Sequence, residues 1–377
     1  MRAKIIKYRC EEWGRAEILA LLRGYTINGS IDQLQRVLEN QYGVSVFLLN
    51  SARAGLKIAL NQCHKRHPLR KTVLVPSYIC NSVPQTITQM GLNVVSVAVN
   101  EHFNLCPQAM KAMLDESCLA VVMPHMYGIP ADVRKIRQLT HDADVFLIDD
   151  AAQVAGIRVH DQLLGTFGDY GMLSFAQAKS IVCGVRGAGG VLFNTSGFPL
   201  DVSLTPVNRM SRLPKFLHFW AHYIAQGTWK SLDYYVERLQ NRFFDKRNNY
   251  FPDGFALSEP DASIALTQFI SLEHRIHLAI QRAEIVRNEL VRCSNIVTPQ
   301  FNEQSRYVTR FVIQTRLLEP RSLAEELAKV GVESRFVYGN GSRAYDGSHD
   351  SGLLELPWIG LTQTETELMV FRLNSIN

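Results

Sequence analysis

Between residues 45 and 195, short apolar runs alternate with stretches of helical periodicity, and this alternation constrains the fold more than any other feature of the chain. The runs lie at 45–49, 72–76, 93–99, 119–124, 144–149, 170–175 and 190–194. They are rich in Val, Ile, Leu and Phe without strict polar alternation, which is how strands buried on both faces of a mostly parallel sheet read. Helical patterns at 52–64, 80–90, 107–115 and 131–141 fill the gaps. Strand and helix repeated this often predict an α/β fold, an open and mostly parallel sheet with helices on both faces. In such sheets ligands bind in the loops past the carboxyl ends of the strands. The residues that follow each run are therefore the place to look for chemistry.

The rest of the chain has a different texture. In 205–250, Leu213, Phe216, Leu217, Trp220, Tyr223 and Ile224 recur at helical spacing, with Lys215, His218 and His222 between them, and an aromatic stretch from Trp229 to Phe244 follows. An amphipathic helix of this kind is expected to pack on the sheet or in a subunit interface. Contact of 211–244 with a membrane surface is the lesser alternative. From residue 255 a long helical pattern (261–291) leads to a strand (307–315), a helix (320–330) stopped by Gly331 and a strand (332–338). A Gly/Ser-rich loop (339–352) and a last helix opened by a Thr362–Glu365 capping box complete the chain. The expected organisation is an N-terminal arm (1–25), a large domain (26–254) and a smaller C-terminal α+β domain (255–377).

Composition narrows the function classes. Hydrophobic residues are 46% and charged residues 20% of 377, as in an ordinary globular protein. Forty Lys and Arg against 35 Asp and Glu leave +5, with no basic run of five or more, so nucleic acid is not an expected partner. Seven cysteines, an odd number without a CxxC pair, indicate neither a zinc site nor a disulfide framework and suggest reduced thiols in the cytoplasm. No metal is expected. The first residues lack the apolar core of a signal peptide, and no run of 18 apolar residues occurs.

Four strand-end features make one chemical set. Lys179 stands in SFAQAKS, just past the run ending at 175. Asp149 and Asp150 follow a buried apolar run in FLIDDAAQ, Tyr78 lies past the run ending at 76, and LLNSARAGL passes from strand to helix through small residues. Backbone N–H groups at such a helix start hold phosphate oxygens. A phosphate cradle, a carboxylate, a flat aromatic and a lysine are what pyridoxal phosphate requires: an imine partner, a group that keeps the pyridine nitrogen protonated, a stacking ring and an anion site.

At this point the chain resembles the DegT/DnrJ/EryC1/StrS group of fold-type-I pyridoxal-phosphate enzymes, the sugar aminotransferases. NSARAGLKIAL, VPSYIC, VMPHMYGIPADV, IDDAAQVAG, GTFGDYGMLSFAQAK, GAGGVLF and LELPWIGLTQTE occur in family order. The resemblance implies that Lys179 is the Schiff-base lysine and Asp150 the partner of the pyridine nitrogen. It likewise implies that Gln153 lies near the cofactor's O3′ side and that Tyr78 stacks on the ring. Ser174 and the backbone around Ala52 and Arg53 would bind the phosphate. Asp149 is expected to be structural, His125 a satisfied core histidine and Cys183 a small loop residue. The family's Ser-Gly-Thr is Ser51-Ala52-Arg53 here, its Gly-Glu-Gly-Gly turn is Gly187-Ala188-Gly189-Gly190, and its partner-subunit phosphate motif is reduced to Gly254-Phe255-Ala256-Leu257. Ala98 stands where the family has an acid at the end of the third strand.

The resemblance implies an aminotransferase that moves an amino group from glutamate, or another amino-acid donor such as glutamine, to a keto acceptor, with a nucleotide-linked keto sugar as the expected acceptor class. It also implies a homodimer. Elimination, decarboxylation or carbon–carbon bond formation on the same cofactor is the alternative, and a non-catalytic sensor a lesser one. The family's sugar dehydratases carry histidine in place of the lysine, so Lys179 argues against that branch. Arg53 and Arg186 are the basic residues expected to meet phosphate or an anionic substrate.

Overall fold

The structure, a computed structural model, describes residues 5–7, 13–176, 178–183, 189–200, 202–212, 254–290, 296–297, 309–315, 319–336 and 353–376. The aromatic segment beyond 212, Arg186 and the 339–352 loop lie outside the described residues.

The expected sheet is present, with a mostly parallel order. Strands β1 (Ser45–Leu49), β2 (Thr72–Pro76), β3 (Asn93–Val97), β4 (Cys118–Pro124) and β5 (Phe146–Asp150) are followed by a short hairpin, β6 (Arg158–Val159) and β7 (Gln162–Leu163). Strands β8 (Tyr170–Ser174) and β9 (Gly190–Asn194) complete a seven-stranded sheet of order β1-β9-β8-β5-β4-β2-β3. Pairing is parallel from β3 to β8, and β9 runs antiparallel to both of its neighbours. All seven residues of β4 are buried, which explains its unbroken apolar run.

Helices cover the sheet on both faces. They are α1 (Arg15–Thr26), α2 (Ser30–Tyr42), α3 (Ala52–Arg66), α4 (Ser82–Gln89), α5 (Pro107–Lys111) and α6 (Val133–Asp142). Helix α3 starts where Ser51 Oγ accepts from the Ala54 N–H at 3.2 Å, and it buries Leu56, Ala59, Leu60 and Cys63 against the sheet. The arm expected over 1–25 contains most of α1. Its Gly24 lies so close to the next region that a Cβ there would come 2.5 Å from Pro260 Cα.

The long helical pattern resolves into two helices, α7 (Glu259–Ile270) and α8 (Leu272–Leu290). Ser258 caps the first through its hydroxyl, and Pro260 sits at its start. A second, antiparallel sheet of order β10-β11-β13-β12 is formed by β10 (Ile296–Val297), β11 (Phe311–Thr315), β12 (Arg335–Phe336) and β13 (Leu353–Leu356). Helices α9 (Pro320–Lys329) and α10 (Gln363–Leu373) pack on it, α10 opening with the expected Thr362–Glu365 capping box. The core clusters do not change over at residue 254. Leu257, Ala262, Ala265, Phe269 and Leu272 share the core of the large sheet, and the second core begins on this segment at Ala283. Residues 254–257, which the resemblance relates to a partner-subunit contact, pair within their own chain: Ala256 with Leu49, and Phe255 with Thr205.

Candidate active site

The carboxyl ends of the parallel strands and the start of α3 bring the expected residues to one edge of the sheet. Ser174 ends β8 and stands opposite Gly190, the first residue of β9. Gly190 is backed against the start of α3: a Cβ on it would lie 2.4 Å from the Ala52 nitrogen. Gly189 bridges to Ser51 on the same line, with a left-handed φ of 87°. Only glycine lets two chain segments approach this closely. The result is a half-buried cradle of Ser174, Ala52 and Arg53, at the end of a helix whose dipole favours an anion.

The two acids of β5 separate because successive side chains of a strand face opposite ways. Asp149 is wholly buried in a structural network. Its Oδ2 accepts from the backbone N–H of Gly165 at 2.7 Å and of Phe167 at 2.9 Å, and its Oδ1 lies 2.7 Å from His125 Nε2. His125 Nδ1 accepts from the Ala131 N–H at 3.0 Å, so Nε2 carries the proton that meets Asp149. Among the described residues, Asp150 instead accepts one hydrogen bond, from the Ala152 N–H to its Oδ1 at 3.0 Å. Burial pushes its carboxyl above the ordinary range, and Lys179 pulls it back. A buried carboxylate of this kind is stabilised by a cation brought to it.

Lys179 lies on the turn after β8. It is half-buried as a residue, with its amine desolvated. Burial, and after it the Arg310 guanidinium, holds the amine down at about 8. The turn is tied on several sides. Ser180 Oγ reaches the Gln153 carbonyl at 3.5 Å, Arg275 Nη1 donates to the Ser180 carbonyl at 3.3 Å, and Val182 N–H donates to Gln268 Oε1 at 2.7 Å. Ala178, just before the lysine, has φ 56°, a conformation that costs a non-glycine residue about 1–3 kcal/mol.

Gln153 and Tyr78 meet through a residue that the motifs did not single out. Tyr127, buried and left-handed at φ 58°, donates its backbone N–H to Gln153 Oε1 at 3.1 Å, and its hydroxyl is hydrogen-bonded to that of Tyr78. Phe103 packs on Tyr78 with ring centroids 5.0 Å apart. The signal for Tyr127 was available in PHMYG, an aromatic between a strand end and a glycine. Arg310 was the other omission, and it had no local signal, because it arrives from the second sheet.

Among the described residues no group of three His, Cys, Asp or Glu is arranged to hold a metal, and no helix is long and apolar enough to cross a membrane. The described cysteines Cys63, Cys80, Cys106, Cys118 and Cys183 are free thiols.

Residues 20–203 match the model of the DegT/DnrJ/EryC1/StrS aminotransferase family. The chain is 30% identical over 138 residues to GDP-perosamine synthase of Vibrio cholerae, covering 36% of this chain and 37% of that protein. The chain thus spans little more than a third of that relative's length. Among solved structures, Helicobacter pylori PseC, an aminotransferase involved in the biosynthesis of pseudoaminic acid, superposes with a TM-score of 0.74 at 13% identity over 98% of both chains. An Escherichia coli GDP-4-keto-6-deoxy-D-mannose-3-dehydratase with bound hydrated pyridoxal phosphate gives 0.72 at 17% identity, over 98% of this chain and 100% of that one.

Proposed function

From a segment, residues 20–203, that belongs to the DegT/DnrJ/EryC1/StrS aminotransferase family, we propose that this chain is a pyridoxal-phosphate-dependent aminotransferase acting on a nucleotide-linked keto sugar. The observation that carries the proposal is the pairing of a desolvated Lys179 with a buried Asp150 on the end of the neighbouring strand, beside a helix start that a glycine holds close.

The residues present fit the cofactor. Ser174 and the Ala52–Arg53 turn would hold its phosphate, Asp150 its ring nitrogen, Gln153 the ring's oxygen side and Tyr78 the ring face. When bound, pyridoxal phosphate supplies an electron sink for negative charge at the substrate's α-carbon. The protein's part is to place and protonate. With its amine at about 8, about a quarter of Lys179 is neutral at pH 7.5, against roughly one molecule in a thousand for an ordinary lysine near 10.5. The neutral Nζ can take a proton from the amino donor's α-carbon and hand it on within the same half-reaction, and can run that transfer in reverse to protonate the carbon of the acceptor. Burial raises the Asp150 carboxyl and a cation beside it favours the anionic form, which would in turn help to keep the ring nitrogen charged. Tyr127 and the Tyr78 hydroxyl fix the plane of the stacking ring.

The donor is proposed to be glutamate, and the acceptor class follows the nucleotide-sugar names of the relatives. The protein is proposed to act as a cytoplasmic homodimer. We place the boundary between the two units inside α8, where the core changes, rather than at 254. Incubation of the loaded protein with glutamate is expected to release 2-oxoglutarate. A subsequent chase with a nucleoside-diphosphate 4-keto-6-deoxyhexose is expected to yield the amino sugar with ping-pong kinetics. Loss of a hydroxyl from the sugar without amine transfer would overturn the aminotransferase reading in favour of a dehydratase.

A further inference from the structure

We propose that Arg310, braced by Glu355, is a positioning residue for the Lys179 turn, tying that turn to the second sheet and setting the electrostatic field that the lysine meets. The proposal rests on the reading of Lys179 as the imine lysine. Among the left-handed non-glycine residues at the candidate site are Tyr127 and Ala178. Both are held by their carbonyls, and both holders are consecutive residues at the entrance to β11. The Thr309 N–H donates to the Tyr127 carbonyl at 3.1 Å, and Arg310 Nε donates to the Ala178 carbonyl at 3.2 Å. Arg310 Nε lies 3.5 Å from Glu355 Oε1, on the adjacent strand β13. Both side chains are largely shielded from solvent, at 16% and 8% exposure. Val312 and Leu353 of the same two strands pack against Tyr78 and Tyr127. The second sheet thus grips both strained turns at once, and Arg310 is the only charged member of that grip that reaches the lysine turn among the described contacts.

A guanidinium suits this position. Its charge is permanent, and its planar donors can serve a carbonyl and a carboxylate together. The ionisable groups that Lys179 meets are Arg310, Cys80, Asp150 and Glu355. Arg310 opposes a charged amine, whereas Asp150 and Glu355 favour one. Changing either member of the pair should therefore move Lys179 in opposite senses, which a purely structural brace would not do.

The test uses the full chain freed of cofactor. The rate at which the visible imine absorbance appears on adding pyridoxal phosphate is followed across pH 6 to 10, with unfolding temperature measured alongside. In the unsubstituted protein the rate should rise through an inflection near 8. Arg310→Gln should move that inflection upward; a shift of about half a unit to one unit slows loading roughly three- to tenfold at pH 7. Glu355→Gln should move it downward and speed loading at pH 7. Arg310→Lys should restore the inflection but not the plateau rate, since the charge returns without the planar Nε donor. Inflections unchanged in Arg310→Gln and Glu355→Gln, with only the unfolding temperature lowered, would overturn the proposal. Should Arg310→Gln not fold, the downward shift in Glu355→Gln decides alone. Absorbance that fails to appear in the unsubstituted protein, or that appears equally in Lys179→Ala, would instead overturn the assignment of Lys179.

Discussion

Asp149 and Asp150 are neighbours of the same type with different fates, and the difference lies in what each touches. Asp149 is used up by two backbone N–H groups and by His125, so its removal or theirs is a matter of stability. His125→Leu is expected to leave Asp149 Oδ1 unpaired in the interior and to cost about 1–3 kcal/mol, read as a lower unfolding temperature with an unshifted pH–activity profile. A shifted profile would give His125 a chemical role. Asp150→Asn keeps the shape and removes the charge proposed to meet the ring nitrogen. A hydrogen bond to a charged group is worth about 1.5–3 kcal/mol, so turnover should fall roughly 10- to 150-fold. Turnover like that of the unsubstituted protein would contradict its role. The sequence distinguished these acids only through the resemblance, since both follow the same apolar run. It could not show Arg310 at all, because nothing within ten residues of that position marks it as a neighbour of Lys179.

Among the elements, the inner strands of the large sheet were legible because they are buried on both faces and carry long apolar runs, as in β4, all of whose residues are buried. The start of α3 was equally legible from Ser51 and the small residues after it. Strand β13 was not read as a strand. Its four residues, LLEL, are all buried, yet the run contains Glu355, whose partner Arg310 is distant in sequence. Helices α1 and α2 were missed for another reason: they precede the first strand and carry no βαβ context. The close approach of β9 to α3 was not legible either, as a glycine run reads the same in any loop. It makes a specific prediction. Gly190→Ala must push the Ala52 nitrogen away from a Cβ only 2.4 Å distant, so affinity for pyridoxal phosphate should weaken at least tenfold, about 1.4 kcal/mol, with far-UV circular dichroism unchanged. Unchanged affinity would separate the helix start from the phosphate site.

Taken as one body, the chain places a strained lysine turn between two sheets, and the cofactor would bind where they meet. Such a ligand should stabilise the folded chain by linkage. At a free pyridoxal phosphate concentration near 100 times Kd, stability should rise by about 2.7 kcal/mol, seen as a higher unfolding temperature. Lys179→Ala should lose most of that increment. An equal increment in the variant would mean that binding does not depend on the lysine. The change of texture after residue 255 is what the sequence offers for the proposed second unit. A continuous helical pattern hid the break at Ser271 and the later change of core, both of which depend on packing rather than on periodicity.

Lys179 is proposed to form the covalent link to pyridoxal phosphate. Borohydride reduction of the loaded full-length chain, followed by peptide mass spectrometry, tests it directly. A phosphopyridoxyl group on the peptide containing Lys179, and on no other, is the expected result. The same group on a different lysine, or no modified lysine in a protein that binds the cofactor, would contradict it.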